Sequence, residues 1–149
     1  MVLFDTNVLV HAAAEESPFH VPCRDQVAGA RNDVSAAFVT WGICYEFLRV
    51  ATHPRVPFLP WSLDEAWGYL AALLATPGFE VLVETPRHAE ILDRTRSEFP
   101  FLRGNAVHDL HTVVLMREHG ISRISTRDRL FLRFPFLTVI DPAGASESG

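Results

Sequence analysis

The chain has 149 residues, 48% of them hydrophobic and 11% aromatic, which suits one domain with one core and excludes a disordered chain. The net charge of −5 excludes a surface-wide basic coat for nucleic acid, so any such contact has to be local or bridged by a metal ion. All 13 basic residues are arginine, a planar fork suited to phosphate. Two cysteines, Cys23 and Cys44, are too few for a disulfide framework. No charged stretch precedes a leader-like apolar run, and the longest apolar run, "AWGYLAALLA", is about half a membrane span. A cytoplasmic chain with no membrane segment is the expectation.

In chain order, residues 2–4 read as a short strand, wholly apolar and hence buried on both faces of a parallel sheet. Asp5, Thr6, Asn7 and a second apolar run follow. A helix is expected over much of 18–30, a buried strand over 34–40, and a helix from Trp41 to about Thr52 with Thr40 as its cap. Three prolines make 53–61 a loop. "SLDE" (62–65) is a capping box for a helix that stops at "TPG" (76–78). Residues 80–84 read as a strand, Thr85 and Pro86 as the N-cap and first position of a helix to about Phe99, and "PFLRGN" as a break. A helix beginning at Asn105 or Ala106 ends at "EHG", with Gly120 as C-cap. Strands are expected over 121–126 and 137–141, with a helical turn over 127–132 between them, then a disordered tail over 143–149. This alternation predicts a three-layer α/β fold with a mainly parallel sheet and no second domain.

Ligands of open parallel sheets sit beyond the carboxyl ends of the strands. Asp5 ends the first strand and Asp128 lies two residues past the fourth. Glu46 shares its helix flank with Ile43 and Val50, and Asp109 with Val113 and Met116, so both acids border apolar stripes. Each alone has a bland reading: Asp5 and Asp128 as caps, Glu46 as partner of Arg49. Four carboxylates in one pocket repel by on the order of 4 kcal/mol per pair at 4 Å and an effective dielectric of 20. There is no lysine to offset that, whereas Mg²⁺ or Mn²⁺ takes oxygen ligands readily.

"DTNVLVHA" (5–12), Glu46 within "YEFLRV", "NAVHDLHTVVLMREHG" (105–120) and "ISTRDRLFLRFP" (124–135) occur in that order. Together they resemble the PIN-domain ribonucleases, and more narrowly the toxin subunits of bacterial VapBC toxin–antitoxin modules, over a PIN-like nuclease domain at 1–142. The resemblance implies that Asp5, Glu46, Asp109 and Asp128 are the acids of a Mg²⁺ (or Mn²⁺) site, with Asp5 and Asp109 as direct metal ligands. It implies that Asn7, and Ser125 or Thr126, orient those acids, and that Phe131 is the family's aromatic after the last one. Some relatives carry a further acid where this chain has Arg129 and Leu130, so one or two ions remain open. The implied activity is hydrolysis of RNA to 5′-phosphate and 3′-hydroxyl ends by water, with no side-chain nucleophile. The implied partners are a cognate antitoxin whose C-terminal segment wraps the toxin, a second toxin in a homodimer, and the toxin–antitoxin hetero-oligomer.

Rival patterns are weaker. His108 and His111 stand about 100° and 160° from Asp109 on a helix and read as a solvated face rather than an HD-type metal site. The haloacid-dehalogenase motif needs an acid where Asn7 stands, and no Gly-rich phosphate loop is present. Arg123, Arg127, Arg129 and Arg133 crowd one segment and read either as surface charge or as RNA phosphate contacts. Trp41, Phe58, Trp61 and Trp67 flank the Pro-rich loop and read as core, or in part as a groove for a partner. A non-catalytic module of the same fold and a DNA- or RNA-processing nuclease are the alternative functions.

Overall fold

A computed structural model describes residues 1–32, 37–56 and 60–144. Five strands form one sheet: β1 (Val2–Phe4), β2 (Ala37–Thr40), β3 (Phe79–Leu82), β4 (Arg123–Ser125) and β5 (Thr138–Ile140). Their spatial order is β3-β2-β1-β4-β5 and every pairing is parallel. Six helices flank it: α1 (Thr6–Ala13), α2 (His20–Arg31), α3 (Trp41–Ala51), α4 (Leu63–Leu74), α5 (His88–Glu98) and α6 (Ala106–His119). A 3-10 turn over Arg129–Arg133 joins β4 to β5. The chain is thus the α/β domain that strand–helix alternation predicts.

From β1 the chain steps outward through β2 to β3, then returns past β1 to β4. Right-handed crossovers taken in opposite directions put α1–α4 on one face and α5–α6 on the other. The turn of direction falls between β1 and β4, and a crevice opens there at the carboxyl edge. The core spans both faces, with Leu3, Phe4, Val39, Phe47, Leu70, Val113, Met116, Ile124 and Phe131 sealed from solvent. A small satellite of Ile91, Leu110 and Val114 lies under α5 and α6.

The local signals hold at most ends. Thr40 Oγ1 accepts from the Ile43 amide at 3.0 Å, and Ser62 and Glu65 make both bonds of their capping box. Gly120 ends α6 with φ 68°, the left-handed conformation glycine adopts without strain. The sequence reading did not anticipate α1. Its contiguous Val8, Leu9 and Val10 carry no 3.6-residue stripe, because α1 is buried against both α2 and α3. Helix α5 starts at His88 rather than at Thr85. Thr85 still caps the turn that leads into it: its hydroxyl accepts from the Arg87 amide at 3.2 Å, while its own amide (2.9 Å) and hydroxyl (2.7 Å) donate to Glu118. The expected strand over 34–40 is seen from Ala37; residues 34–36 lie outside the described residues, as do Phe58 and 145–149. Of the other aromatic residues near the loop, Trp61 packs on Phe47 and Tyr69, whereas Trp41 and Trp67 are exposed.

Candidate active site

The crevice at the switch point is a cleft of about 860 Å³, and Asp5, Glu46, Asp109 and Asp128 all line it. They come from four segments. Asp5 joins β1 to α1, Glu46 sits on α3, Asp109 is in the first turn of α6, and Asp128 precedes the 3-10 turn.

Asp5 is held most firmly. Its Oδ1 accepts from the Thr6 amide at 2.8 Å, and its Oδ2 accepts from Asn7 Nδ2 at 3.1 Å and Thr126 Oγ1 at 2.8 Å. A carboxylate has roughly four acceptor positions, so about one is left for the cleft. The backbone carries the same tie: Asp5 N donates to Ser125 O at 3.0 Å and Thr126 N to Ile140 O at 2.9 Å. Asn7 bridges further, donating to Thr126 Oγ1 at 3.0 Å and accepting from Arg127 N at 3.0 Å. Asp5 is therefore both the cap of α1 and a wall of the cleft. Burial raises its pKa against the hydrogen bonds from Thr126 and Thr6, and Asp128 adds to the rise.

Asp109 is half-buried, and its pKa is pushed up to about 7, first by desolvation and then by the charges of Asp5, Asp128 and Glu46. The helix dipole at this first turn favours the anion but does not offset three acids. Asp128 is exposed on the rim; its Oδ1 accepts from Leu130 N at 2.9 Å and its own amide donates to Thr126 Oγ1 at 3.0 Å. Glu46 makes the ion pair with Arg49, 2.7 Å from Nη2, and still lines the cleft. For three of the four acids the bland role and the cleft position coexist.

Of the two supporting candidates at the end of β4, Thr126, just past the strand, reaches Asp5, while the Ser125 hydroxyl bonds Gln26 on α2. The four arginines do not line the acidic cleft. Arg123 begins β4, at the edge opposite the acids. Arg127 pairs with Asp141 at 3.1 Å and lies 3.7 Å over the Phe19 ring; Arg133 lies 3.6 Å over Phe101. Arg127 and Arg129 line a second recess near Asp141. His108 is exposed as expected, but His111 is half-buried and bonded to Glu84, because Gly42 lets α3 approach it: a Cβ there would lie 3.2 Å from His111 Nδ1. No local pattern announces the His111–Glu84 contact, which joins residues 27 apart.

An acid-lined cleft at the switch point of a parallel sheet stands where α/β folds bind their ligands, and the chain's relatives say which family of proteins it belongs to. The PIN domain family matches residues 2–137, and the chain belongs to that family. It is 32% identical to Ribonuclease VapC48 of Mycobacterium tuberculosis over 143 residues, 93% of this chain and 95% of that protein. It is 30% identical to Ribonuclease VapC37 of the same organism over 125 residues, 84% and 86% of the two chains. Among solved structures it resembles VapBC2 from Rickettsia felis bound to a promoter DNA fragment, with a TM-score of 0.67, 14% identity and coverage of 94% and 98%. It also resembles Mycobacterium tuberculosis VapC20, described as a sarcin–ricin-loop-cleaving toxin, with a TM-score of 0.66, 14% identity and coverage of 89% and 94%.

Proposed function

We propose that the chain is a Mg²⁺- or Mn²⁺-dependent endoribonuclease, the toxin of a type II toxin–antitoxin pair. The observation that carries this reading is the single cleft lined by Asp5, Glu46, Asp109 and Asp128. Similarity to the VapC ribonucleases over more than nine-tenths of the chain supports RNA as substrate.

The donors fit a hard divalent cation. They are carboxylate oxygens, the chain has no lysine, and the one arginine lining the cleft is paired to Glu46. In this reading Asp5 and Asp109 hold the ion directly, and Glu46 and Asp128 complete its surroundings or act through water. A bound divalent ion supplies the positive charge that offsets a phosphodiester and acidifies the attacking water. Asn7 and Thr126 fix the Asp5 carboxylate, and Ser125 ties β4 to α2. Asp128, on the open rim, accepts the proton of the water. Arg129 is exposed next to Asp128 and is the foremost phosphate contact; Arg127 and Arg133 lie further from the acids, held on Asp141 and Phe101, and Arg123 stands at the opposite edge of the sheet.

The antitoxin, a homodimer and their hetero-oligomer are proposed partners, met in the cytoplasm. Among the described residues no helix is long and apolar enough to cross a membrane. Trp41 (45% exposed), Tyr45 (71%) and Trp67 (47%) supply an aromatic surface on α3 and α4 for one of them.

The test is cleavage of total cellular RNA with Mg²⁺ or Mn²⁺, sequencing new 5′ ends, beside Asp5→Asn. Discrete metal-dependent ends that vanish in the variant are expected, each with a 5′-phosphate. RNA left whole by the native chain overturns the reading. It turns attention to DNA, or to a fold kept for binding alone.

A further inference from the structure

We propose a second metal site of different chemistry, built from Glu84, His88 and His111 for a borderline divalent cation of the Zn²⁺ class. It lies past the end of β3, where α5 begins and the middle of α6 passes. One ligand atom from each residue falls within 4.8 Å of the other two. A tetrahedral Zn²⁺ with bonds of about 2.1 Å wants its ligands about 3.4 Å apart, so a small closure suffices. The exposed Glu84 side chain has the freedom to supply it, and its Oε1 already stands 2.9 Å from His111 Nε2. An ion replaces the proton now shared between those two atoms, with the ring proton moved to Nδ1.

His88 is prepared for the same role. Its Nδ1 faces Glu118 Oε2 at 2.6 Å, and the Glu118 side chain is fully buried. Glu118 Oε1 is itself held by the Thr85 amide at 2.9 Å and hydroxyl at 2.7 Å. An ionised carboxylate only accepts, so Nδ1 donates in this bond and Nε2 is the nitrogen left for an ion. A carboxylate locking the far nitrogen of an imidazole is the arrangement that orients metal-binding histidines. The two rings meet edge to face, centroids 5.9 Å apart at 78°. An internal hydrogen bond accounts for His88 and Glu118. It does not account for a second imidazole and a second, exposed carboxylate brought to the same spot.

Two imidazole nitrogens and one carboxylate oxygen select Zn²⁺ or Co²⁺ over Mg²⁺, and three ligands leave a fourth position open. His111 also lines the acidic cleft, so an ion here adds positive charge to its wall. The proposal needs no RNA cleavage and stands apart from the nuclease reading.

The experiment uses the full chain in saturating Mg²⁺, titrated with Co²⁺ followed by visible absorption, and with Zn²⁺ by calorimetry. One Co²⁺ per chain with the strong visible bands of tetrahedral coordination, displaced by Zn²⁺, is expected. His111→Ala should weaken Zn²⁺ binding at least tenfold, Glu84→Gln likewise, and Glu118→Gln by about 10–100-fold. Glu84 is exposed, so its variant tests the site without touching the core. Asp5→Asn should bind Zn²⁺ as the native chain does. Weak Co²⁺ bands, binding unchanged in Glu84→Gln and His111→Ala, or binding lost in Asp5→Asn, each overturns the proposal.

Discussion

Asp109 ties charge and stability together in one side chain, and in the proposed function metal binding as well. Its carboxyl titrates near 7 in the folded chain against 3.8 as the ordinary value. Between those values the native state holds more protons than the unfolded state, so this group's contribution to stability is full below about pH 3.8 and is lost as pH rises through 7. Asp109→Asn removes that slope. In chelator, the variant should match the native chain near pH 4 and exceed it at pH 8 by about 1–3 kcal/mol, the upper part of a three-unit shift being screened at a half-exposed group. Urea unfolding at the two pH values checks this, and parallel profiles for the two proteins would refute it. The same variant should lose turnover, because metal competes with that proton. Thr126→Val removes one donor from the buried Asp5 carboxylate. A cost of about 1–3 kcal/mol and a 10–100-fold weaker Mn²⁺ affinity are expected, read by thermal unfolding and by titration.

At the scale of elements, the caps give the sharpest tests. Gly120 stands at φ 68°, where an added Cβ is strained although nothing crowds the position. Gly120→Ala should therefore lower stability by about 1 kcal/mol through backbone strain alone, with cleavage activity retained at temperatures where the chain is folded. Chemical denaturation checks it, and a neutral effect would place the end of α6 in some other conformation. Element types were legible wherever the signal was local: a capping box at Ser62, a hydroxyl cap at Thr40, a glycine stop at Gly120. Helix α1 was not, because burial against two other helices removes the polar face that periodicity detects. At α5 the local signal holds in part: the Thr85 hydroxyl caps the first turn through Arg87 N, while the regular helix begins at His88. The Thr85–Glu118 bonds, between residues 33 apart, are a tertiary contact that no local preference announces.

At the scale of the whole molecule, the four acids were legible only as a set. Three of them sit where a cap or a surface pair explains them locally, and only the return of the chain past β1 to β4 brings all four to one cleft. The Glu84–His88–His111 cluster was not legible, since its members come from three segments whose meeting depends on how α5 and α6 pack. The acidic cleft has a global energetic consequence. An ion bound there joins β1, α3, α6 and the segment after β4, so local opening of any of these breaks the site, and binding free energy becomes folding free energy. At 100 times its dissociation constant, Mn²⁺ should add about 2.7 kcal/mol. For a chain of this size that raises the unfolding midpoint by roughly 5–10 °C. The double variant Asp5→Asn, Asp109→Asn should show no such rise with Mn²⁺ while still responding to Zn²⁺ through the histidines. An equal Mn²⁺ shift in the double variant would remove the acids from the metal site. Loss of the Zn²⁺ response as well would overturn the separate histidine site.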